Sequence, residues 1–198
     1  MKTINLYTFG ELSEEAQERA YNNNNVDFSG DHDSEYVETL RRFAKYFDVH
    51  ILDHDAARSW FRYAIMADVP EMGGIRLARY VWNNYAQYIT RGKYYSTHIK
   101  WEDGKPKYKK RYSKIIQSME DCPLTGCCID YDILQPVVDC LHYKRTFESF
   151  EDLIDACLKN FFKAWEDERK FLNSFECFAD YAEANELYFT EAGTRIDV

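Results

Sequence analysis

The stretch SFEDLIDACLKNFFKAWEDERKFL, residues 149–172, decides the fold, because it predicts one long helix with an unbroken apolar stripe. Ser149 is a good N-cap residue, and Asp152 stands three positions later, in the pattern of a capping box. A stripe of this length needs other elements packed on it to keep it away from water. It consists of Phe150, Leu153, Ile154, Cys157, Leu158, Phe161, Phe162, Trp165 and Leu172.

The segments on either side predict the elements that pack on this helix. Apolar residues at helical spacing indicate further helices, and alternating residues indicate short strands. The helices are predicted at 14–21, 35–47, 73–89, 131–142 and 175–185, the strands at 3–9, 48–53 and 59–67, and the hairpins at 94–112 and 187–197. Residues 26–34 are polar and acidic and predict a loop. The predicted class is α+β, with antiparallel strands and hairpins packed against several helices.

Chain length and composition bear on the number of domains. A chain of 198 residues with 45% hydrophobic and 17% aromatic residues can bury a substantial core. Glycine and proline are scarce, which disfavours long flexible linkers. We therefore expect a single domain over residues 1–198. A soft boundary is expected near 115–122, between a part that carries the hairpin at 94–112 and a helical C-terminal part.

The hairpin at 94–112 has the clearest local signal. Asp103-Gly104 stands between two runs rich in strand-forming residues, and Asp-Gly favours a two-residue turn. Such a turn places Glu102 opposite Lys105. The same register pairs Lys100 with Lys107, His98 with Lys109 and Ser96 with Arg111 on one face, and it puts Trp101, Ile99, Tyr95, Tyr108 and Tyr112 on the other.

Charge is distributed unevenly along the chain. The formal net charge is −9, yet the window 91–114 holds nine basic residues against two acidic ones, which is +7 and leaves −16 elsewhere. Such an asymmetry points to an interaction surface. We call its candidate contact residues the basic ribbon: Tyr94, Lys100, Lys105, Lys107, Lys109, Lys110, Arg111 and Lys114.

The basic ribbon has two interpretations. Like charges directly opposite each other destabilise a hairpin, and an anionic partner would offset that cost. Tyr94 adds a ring of the kind that stacks on single-stranded bases. Alternatively, the ribbon is a solvated edge hairpin on which lysines prevent aggregation.

Two other clusters could carry chemistry. Asp31-His32-Asp33 and Asp53-His54-Asp55 contain metal-ligand side chains but match no metallohydrolase spacing. The thiols of Cys122, Cys127, Cys128 and Cys140, with His142, could form a zinc site, although strong zinc motifs use C-x2-C pairs. Reduced free thiols are the better interpretation for these four, and for Cys157 and Cys177. We expect no cofactor, no metal and no enzymatic activity.

The N-terminal segment and the hydropathy pattern bear on location. MKTINLYTF contains neither the apolar core nor the cleavage site of a secretion signal, and no apolar run is long enough to span a bilayer. We expect a cytoplasmic protein with no membrane contact.

Three segments resemble one family across nearly the whole chain: YTFGELSEEAQERA (7–20), CPLTGCCIDYDILQP (122–136) and EANELYFTEAGTRI (183–196). The family consists of small proteins carried by phages, plasmids and other mobile elements of gut Firmicutes. Its members open on YxFxELSEEAKEKA, pass through LTGxCxDYDIL and close on NEYxFTEDG. This chain departs at Cys127, where the pattern often has an aromatic residue, and at Ala192, where it usually has an acid.

The resemblance implies counter-defence in a bacterial host cell, because some members are similar to anti-CRISPR proteins that inhibit Cas9. The expected partner is a host defence nuclease or ribonucleoprotein, with possible contact to guide RNA or DNA. An acidic surface could imitate DNA in the basic channel of such an effector. The candidate acidic residues are Asp27, Asp31, Asp33, Glu35, Glu38, Asp53 and Asp55.

Other functions stay open beside this one. The chain could be a small nucleic-acid-binding accessory protein of a phage or plasmid that uses the basic ribbon alone. A metal-dependent hydrolase is a third hypothesis. Tyrosine-rich edges leave a homodimer open.

Overall fold

The computed structural model describes residues 5–24, 28–89, 95–102, 105–113, 122–143 and 147–196. Helices and short strands occur in separate runs along the chain, and the strands pair antiparallel with near neighbours or across the termini, which makes this an α+β protein. The elements are β1 (Tyr7–Thr8), α1 (Glu14–Asn23), α2 (Ser29–Phe47), β2 (Val49–Asp55), β3 (Trp60–Ile65), α3 (Gly74–Ile89), β4 (Tyr95–Glu102), β5 (Lys105–Ser113), α4 (Asp130–Tyr143), α5 (Phe150–Leu172), α6 (Phe175–Ala184), β6 (Tyr188–Phe189) and β7 (Arg195–Ile196). Single-turn 3-10 helices at Phe9–Glu11 and Ala56–Arg58 follow β1 and β2.

The chain divides into two compact units. Unit 1 comprises Met1–Asp33 and Asp167–Val198, and unit 2 comprises Ser34–Glu166. The division falls inside α2 and inside α5. The predicted single domain with a soft boundary near 115–122 stays a prediction, since residues 114–121 lie outside the described part of the chain.

The core of unit 2 forms around the apolar stripe of α5. Phe161 and Phe162 are fully buried, and Trp165 stacks on Tyr36 of α2 with ring centroids 5.0 Å apart. Phe61 of β3 stacks on Phe162 at 5.1 Å. Helices α3 and α4 complete this core with residues that include Leu77, Val81, Ile133 and Val137. The predicted stripe, from Phe150 to Trp165, is therefore the centre of the packing of unit 2.

Unit 1 has its own aromatic core. The ring of Phe9 lies 5.4 Å from that of Phe178 on α6 and 5.9 Å from that of Phe189 on β6. Two buried alanines of α1, Ala16 and Ala20, pack in the same cluster. The strands form a sheet in the order β1-β6-β7, antiparallel throughout, so the predicted C-terminal hairpin is confirmed.

The predicted helix starts are confirmed at three caps. The hydroxyl of Ser149 accepts a hydrogen bond from the amide of Asp152 at 3.0 Å. Ser13 accepts from the amide of Ala16, and Ser174 from the amide of Cys177. A cap of this kind stabilises a helix by about 1 kcal/mol.

Three local predictions are wrong. Helix α2 begins at Ser29, so residues 29–34 are helical and not a loop; a polar composition alone cannot distinguish the first turns of a helix from a loop. In the described part, β1 spans only Tyr7–Thr8, because the chain turns into a 3-10 helix at Phe9. In the helix predicted at 73–89, helical spacing predicts Ile75 among the buried apolar residues; Ile75 is 52% exposed, because it lies in the first turn of α3.

Gly193, between β6 and β7, touches helix α1 so closely that no side chain fits. Its φ is +82°, and a Cβ there would overlap the carbonyl oxygen of Ala16. We expect Gly193→Ala to lower the free energy of unfolding by roughly 2–4 kcal/mol, because left-handed strain and overpacking act together. The urea midpoint measures this effect. Gly10→Ala is the matched control, since a Cβ at Gly10 meets nothing within 4 Å; equal losses in both variants would contradict the close approach.

Candidate partner-binding surfaces

The basic ribbon lies on a two-stranded antiparallel hairpin. Strands β4 and β5 pair from Tyr95 opposite Ser113 to Glu102 opposite Lys105. Residues 103–104 stand between the two strands, outside the described residues, at the position predicted for the turn. The predicted pair of strands and the pairing next to the turn are confirmed.

The register changes two residues beyond Glu102 and Lys105. Trp101 pairs with Pro106, but Lys100 pairs with Tyr108, so Lys107 is an extra residue on β5. This is the geometry of a β-bulge. Proline has no N–H to donate to the ladder and is confined to edges and bulges in sheets, which explains the irregularity beside Pro106.

The bulge overturns the predicted cross-strand pairs. Lys109 pairs with Ile99, Lys110 with His98, and Arg111 with Thr97. The predicted pairs Lys100–Lys107, His98–Lys109 and Ser96–Arg111 do not form, so the predicted row of stacked like charges is wrong. Pairs alternate between the two faces of a ladder. Lys100 and Lys110 therefore share a face by register with Tyr108 and Tyr112, and Lys109 and Arg111 occupy positions on the opposite face.

The ribbon residues are unequally divided between the strands. Lys100 stands on β4. The others that the structure describes stand on β5, namely Lys105, Lys107, Lys109, Lys110 and Arg111. Tyr94 and Lys114 lie outside the described residues. The basic positions are therefore concentrated on β5, and by register they fall on both faces of the ladder.

Two of the predicted acidic residues are held by arginines of their own unit. In unit 1, Asp33 forms an ion pair with Arg169 of α5. In unit 2, hydrogen bonds from Arg41 and then Arg42 lower the pKa of Glu38 to about 2. Glu38 is therefore ionised throughout the physiological pH range, and its negative charge is already paired with the two arginines.

The remaining predicted acidic residues differ in their surroundings. Glu35 and Asp53 are exposed. The carboxylate of Asp55 accepts a hydrogen bond from the amide of Ala57 at 3.0 Å and lies 3.6 Å from Arg58. Asp31 is a position on α2, and Asp27 lies outside the described residues. The acidic residues predicted as a contact surface therefore include exposed carboxylates and carboxylates that already have structural partners.

The two units carry very different charges. Unit 1 contains 15 acidic and 5 basic residues, a net charge of −10, whereas unit 2 contains 19 acidic and 20 basic residues, a net charge of +1. The positive charge of unit 2 comes from the window 91–114. The acidic body that the sequence indicated is therefore mainly unit 1, most of which sequence reasoning did not single out.

A buried carboxylate that sequence reasoning missed organises the loop before α4. Asp130 is fully buried, and its Oδ2 accepts hydrogen bonds from the amides of Leu124 (2.7 Å), Thr125 (2.8 Å) and Gly126 (3.3 Å). Its Oδ1 accepts from the hydroxyls of Thr125 at 2.7 Å and Thr39 at 3.3 Å. The spacing T-G-x-x-x-D, with the acid at a helix start, is the signal that could have found it.

The side chain of Arg42 ties the same loop to α2. It donates a 2.6 Å hydrogen bond to the carbonyl of Leu124 and a 2.7 Å one to Glu38. With Thr39 one turn away, α2 contacts both the loop and the carboxylate that closes it. The loop is therefore held by hydrogen bonds to the charged Asp130 and Arg42 side chains and to the neutral Thr39 hydroxyl network. These polar groups stabilise the loop and are not a candidate binding site.

The six cysteines are free thiols in the structure. Among the described residues, no group of three or more His, Cys, Asp or Glu side chains is arranged to hold a metal ion. In the same part of the chain, no helix is both long and apolar enough to cross a membrane.

The thiols are expected to differ sharply in reactivity. Burial raises the pKa of Cys140 to about 11 and also raises that of Cys157, whereas Cys128 is exposed. Because the thiolate is the reactive form, Cys140 and Cys157 should resist labelling at pH 8. Titration of the native protein with a chromogenic disulfide should label Cys128 first, and the two buried thiols only after unfolding. Early labelling of Cys157 would contradict its burial.

The fold and the candidate surfaces define an α+β protein with an acidic unit and a basic hairpin. Comparison of the chain with protein-family models, with curated proteins and with solved structures gave no match.

Proposed function

We propose that the protein is a counter-defence protein of a mobile element, which binds a Cas9-type effector and blocks DNA binding or cleavage without chemistry of its own. One observation carries the proposal: the charge is segregated between unit 1 at −10 and the hairpin window 91–114 at +7. An effector of this class presents a basic channel for nucleic acid together with an exposed guide RNA, so it offers both signs of charge.

The two charged parts have complementary roles in this proposal. The exposed carboxylates of unit 1 occupy part of the channel that DNA would enter, in the manner of a DNA mimic. The basic ribbon contacts phosphates of the guide RNA or an acidic patch of the effector. Long-range attraction between opposite charges raises the association rate, which suits an inhibitor that competes with DNA for the effector.

The second candidate function is nucleic-acid binding by the hairpin alone. The register favours it, because Lys100 and Lys110 share a face with Tyr108 and Tyr112. Basic and aromatic residues on one surface are typical of single-strand binders, in which bases stack on rings and lysines contact phosphates.

Salt dependence separates the two functions. Purified protein is mixed with a Cas9-type ribonucleoprotein, with free guide RNA and with single-stranded DNA, and the dissociation constant of each mixture is measured between 50 and 300 mM salt. The inhibitor should bind the ribonucleoprotein and reduce DNA cleavage at about 150 mM salt while ignoring free nucleic acid. An accessory protein should bind free RNA or DNA, with an affinity that falls steeply as salt rises. Absence of binding to every one of these would contradict both functions.

A further inference from the structure

A groove lined by both apolar and polar residues runs beside α6 in unit 1. Its volume is about 450 Å³, within the ~300–1,000 Å³ typical of ligand-binding clefts. Phe9, Phe175, Ala179 and Leu187 line it, and Glu183 and Glu186 contribute near the C-terminal end of α6. All of these residues belong to unit 1, whereas the basic ribbon belongs to unit 2.

The groove exists because α6 carries small residues along one stripe. Ala179 follows Phe175 by one helical turn, and Ala182 continues the same side of the helix. An alanine side chain ends at Cβ, so the space beside Ala179 stays open, whereas Ala182 is buried in the core of unit 1 and closes the base of the groove. The ring of Phe175 packs against that of Phe9, with the ring centroids 5.6 Å apart, and Phe175 is still 39% exposed. The groove therefore offers an aromatic surface that a ligand can cover.

Negative charge lies at the edge of this apolar surface. Exposed Glu183, near the end of α6, and exposed Glu186, which follows the helix, both line the groove, and we call these two residues the acidic rim. The whole unit has a net charge of −10. A nucleic acid or an acidic peptide would be repelled, and a neutral apolar molecule would gain nothing from the rim. An occupant that combines apolar side chains with positive charge satisfies both features.

We propose that this groove is the docking site for a segment of a partner protein that presents apolar side chains flanked by lysine or arginine. An amphipathic helix laid in an apolar groove is a common mode of peptide recognition, and here the acidic rim would select basic flanks. The site does not use the basic ribbon, and its test uses a peptide and no effector or nucleic acid, so its failure is distinguishable from failure of the proposed function.

The groove itself is tested by filling it. The probe is a fluorescent helical peptide of leucine and lysine at amphipathic spacing, and binding to the full chain is followed by anisotropy. Ala179→Phe should weaken binding at least tenfold, because the new ring occupies the space of the ligand. Ala184→Phe should stay within twofold of the wild type, since Ala184 is exposed on the same helix and does not line the groove.

The acidic rim is tested by charge reversal. Its residues are exposed, so these variants should fold, and they test the proposal even if Ala179→Phe does not fold. Glu183→Arg with Glu186→Arg should weaken binding at least tenfold at physiological salt. The control variant, Glu176→Arg with Glu191→Arg, makes the same change in net charge outside the groove. It should weaken binding of the peptide less than threefold. A peptide with glutamate in place of lysine should not bind.

Several results would overturn the proposal. They are a lack of saturable binding, equal binding of the glutamate peptide, or equal effects of the groove and control variants. Binding of a single-chain cationic detergent as tight as that of the peptide would instead identify a small-molecule site. A variant with Lys100→Glu and Lys110→Glu should bind the peptide like the wild type, which keeps this test distinct from that of the basic ribbon.

Discussion

Replacing Asp130 with alanine is expected to lower the free energy of unfolding by ~3–5 kcal/mol, because several buried donors lose their acceptor at once. The amides of Leu124, Thr125 and Gly126 all donate to this one carboxylate. A loss of this size is a large fraction of the ~5–15 kcal/mol that stabilises a typical domain. Urea unfolding followed by circular dichroism measures the change.

Asparagine separates loss of the acceptor from loss of the charge. In Asp130→Asn, the amide oxygen can take the place of Oδ2, and the new NH₂ can donate to the threonine hydroxyls, which rotate freely. We expect a loss of about 1–2 kcal/mol, mainly the charged component of the hydrogen bonds. Asp68→Ala, at an exposed position, should change stability by less than ~0.5 kcal/mol. Equal stabilities of the Asp130→Ala and Asp68→Ala variants would mean that the carboxylate does not hold the loop.

The spacing of apolar residues along the chain predicted the helices and strands that have a regular local pattern. Helix α5 begins and ends where its apolar stripe does, at Phe150 and Leu172, because 3.6-residue spacing over six turns has no competing interpretation. The strands β2, β3, β4 and β5 also follow from alternating or strand-forming residues beside turn signals. The start of α2 was missed because a solvated first turn of a helix has the composition of a loop.

Contacts between distant parts of the chain were not predictable in this way. Asp130 meets Thr39 across 91 positions, and Gly193 meets Ala16 across most of the chain; neither pairing leaves a trace in local spacing. The predicted register of the hairpin was wrong from one residue onward, for a different reason. A single bulge at Lys107 moves every later residue of β5 to a new partner, and the cue for it was Pro106, a residue that cannot complete the ladder.

The bulge leads to the second large prediction, which concerns the face of the hairpin that contacts its partner. Reversing Lys100 and Lys110 to glutamate should weaken binding to the Cas9-type ribonucleoprotein at least ~100-fold, because two charge-assisted contacts of ~1.5–3 kcal/mol each are lost. These two positions share a face by register with Tyr108 and Tyr112, so in the proposed function one surface would combine rings for stacking with lysines for phosphates. Affinity and inhibition of DNA cleavage are both measured.

The opposite face provides a control with the same change in charge. Lys109→Glu with Arg111→Glu alters the partners of Ile99 and Thr97 and should weaken binding less than ~10-fold, since only long-range attraction is reduced. Both variants should keep the circular dichroism spectrum and urea midpoint of the wild type. Equal losses would mean that the partner senses net charge and not a particular face. If neither pair changes affinity, the hairpin is a solvated edge whose lysines only keep other strands from pairing with it, and the contact with the effector must then come from unit 1.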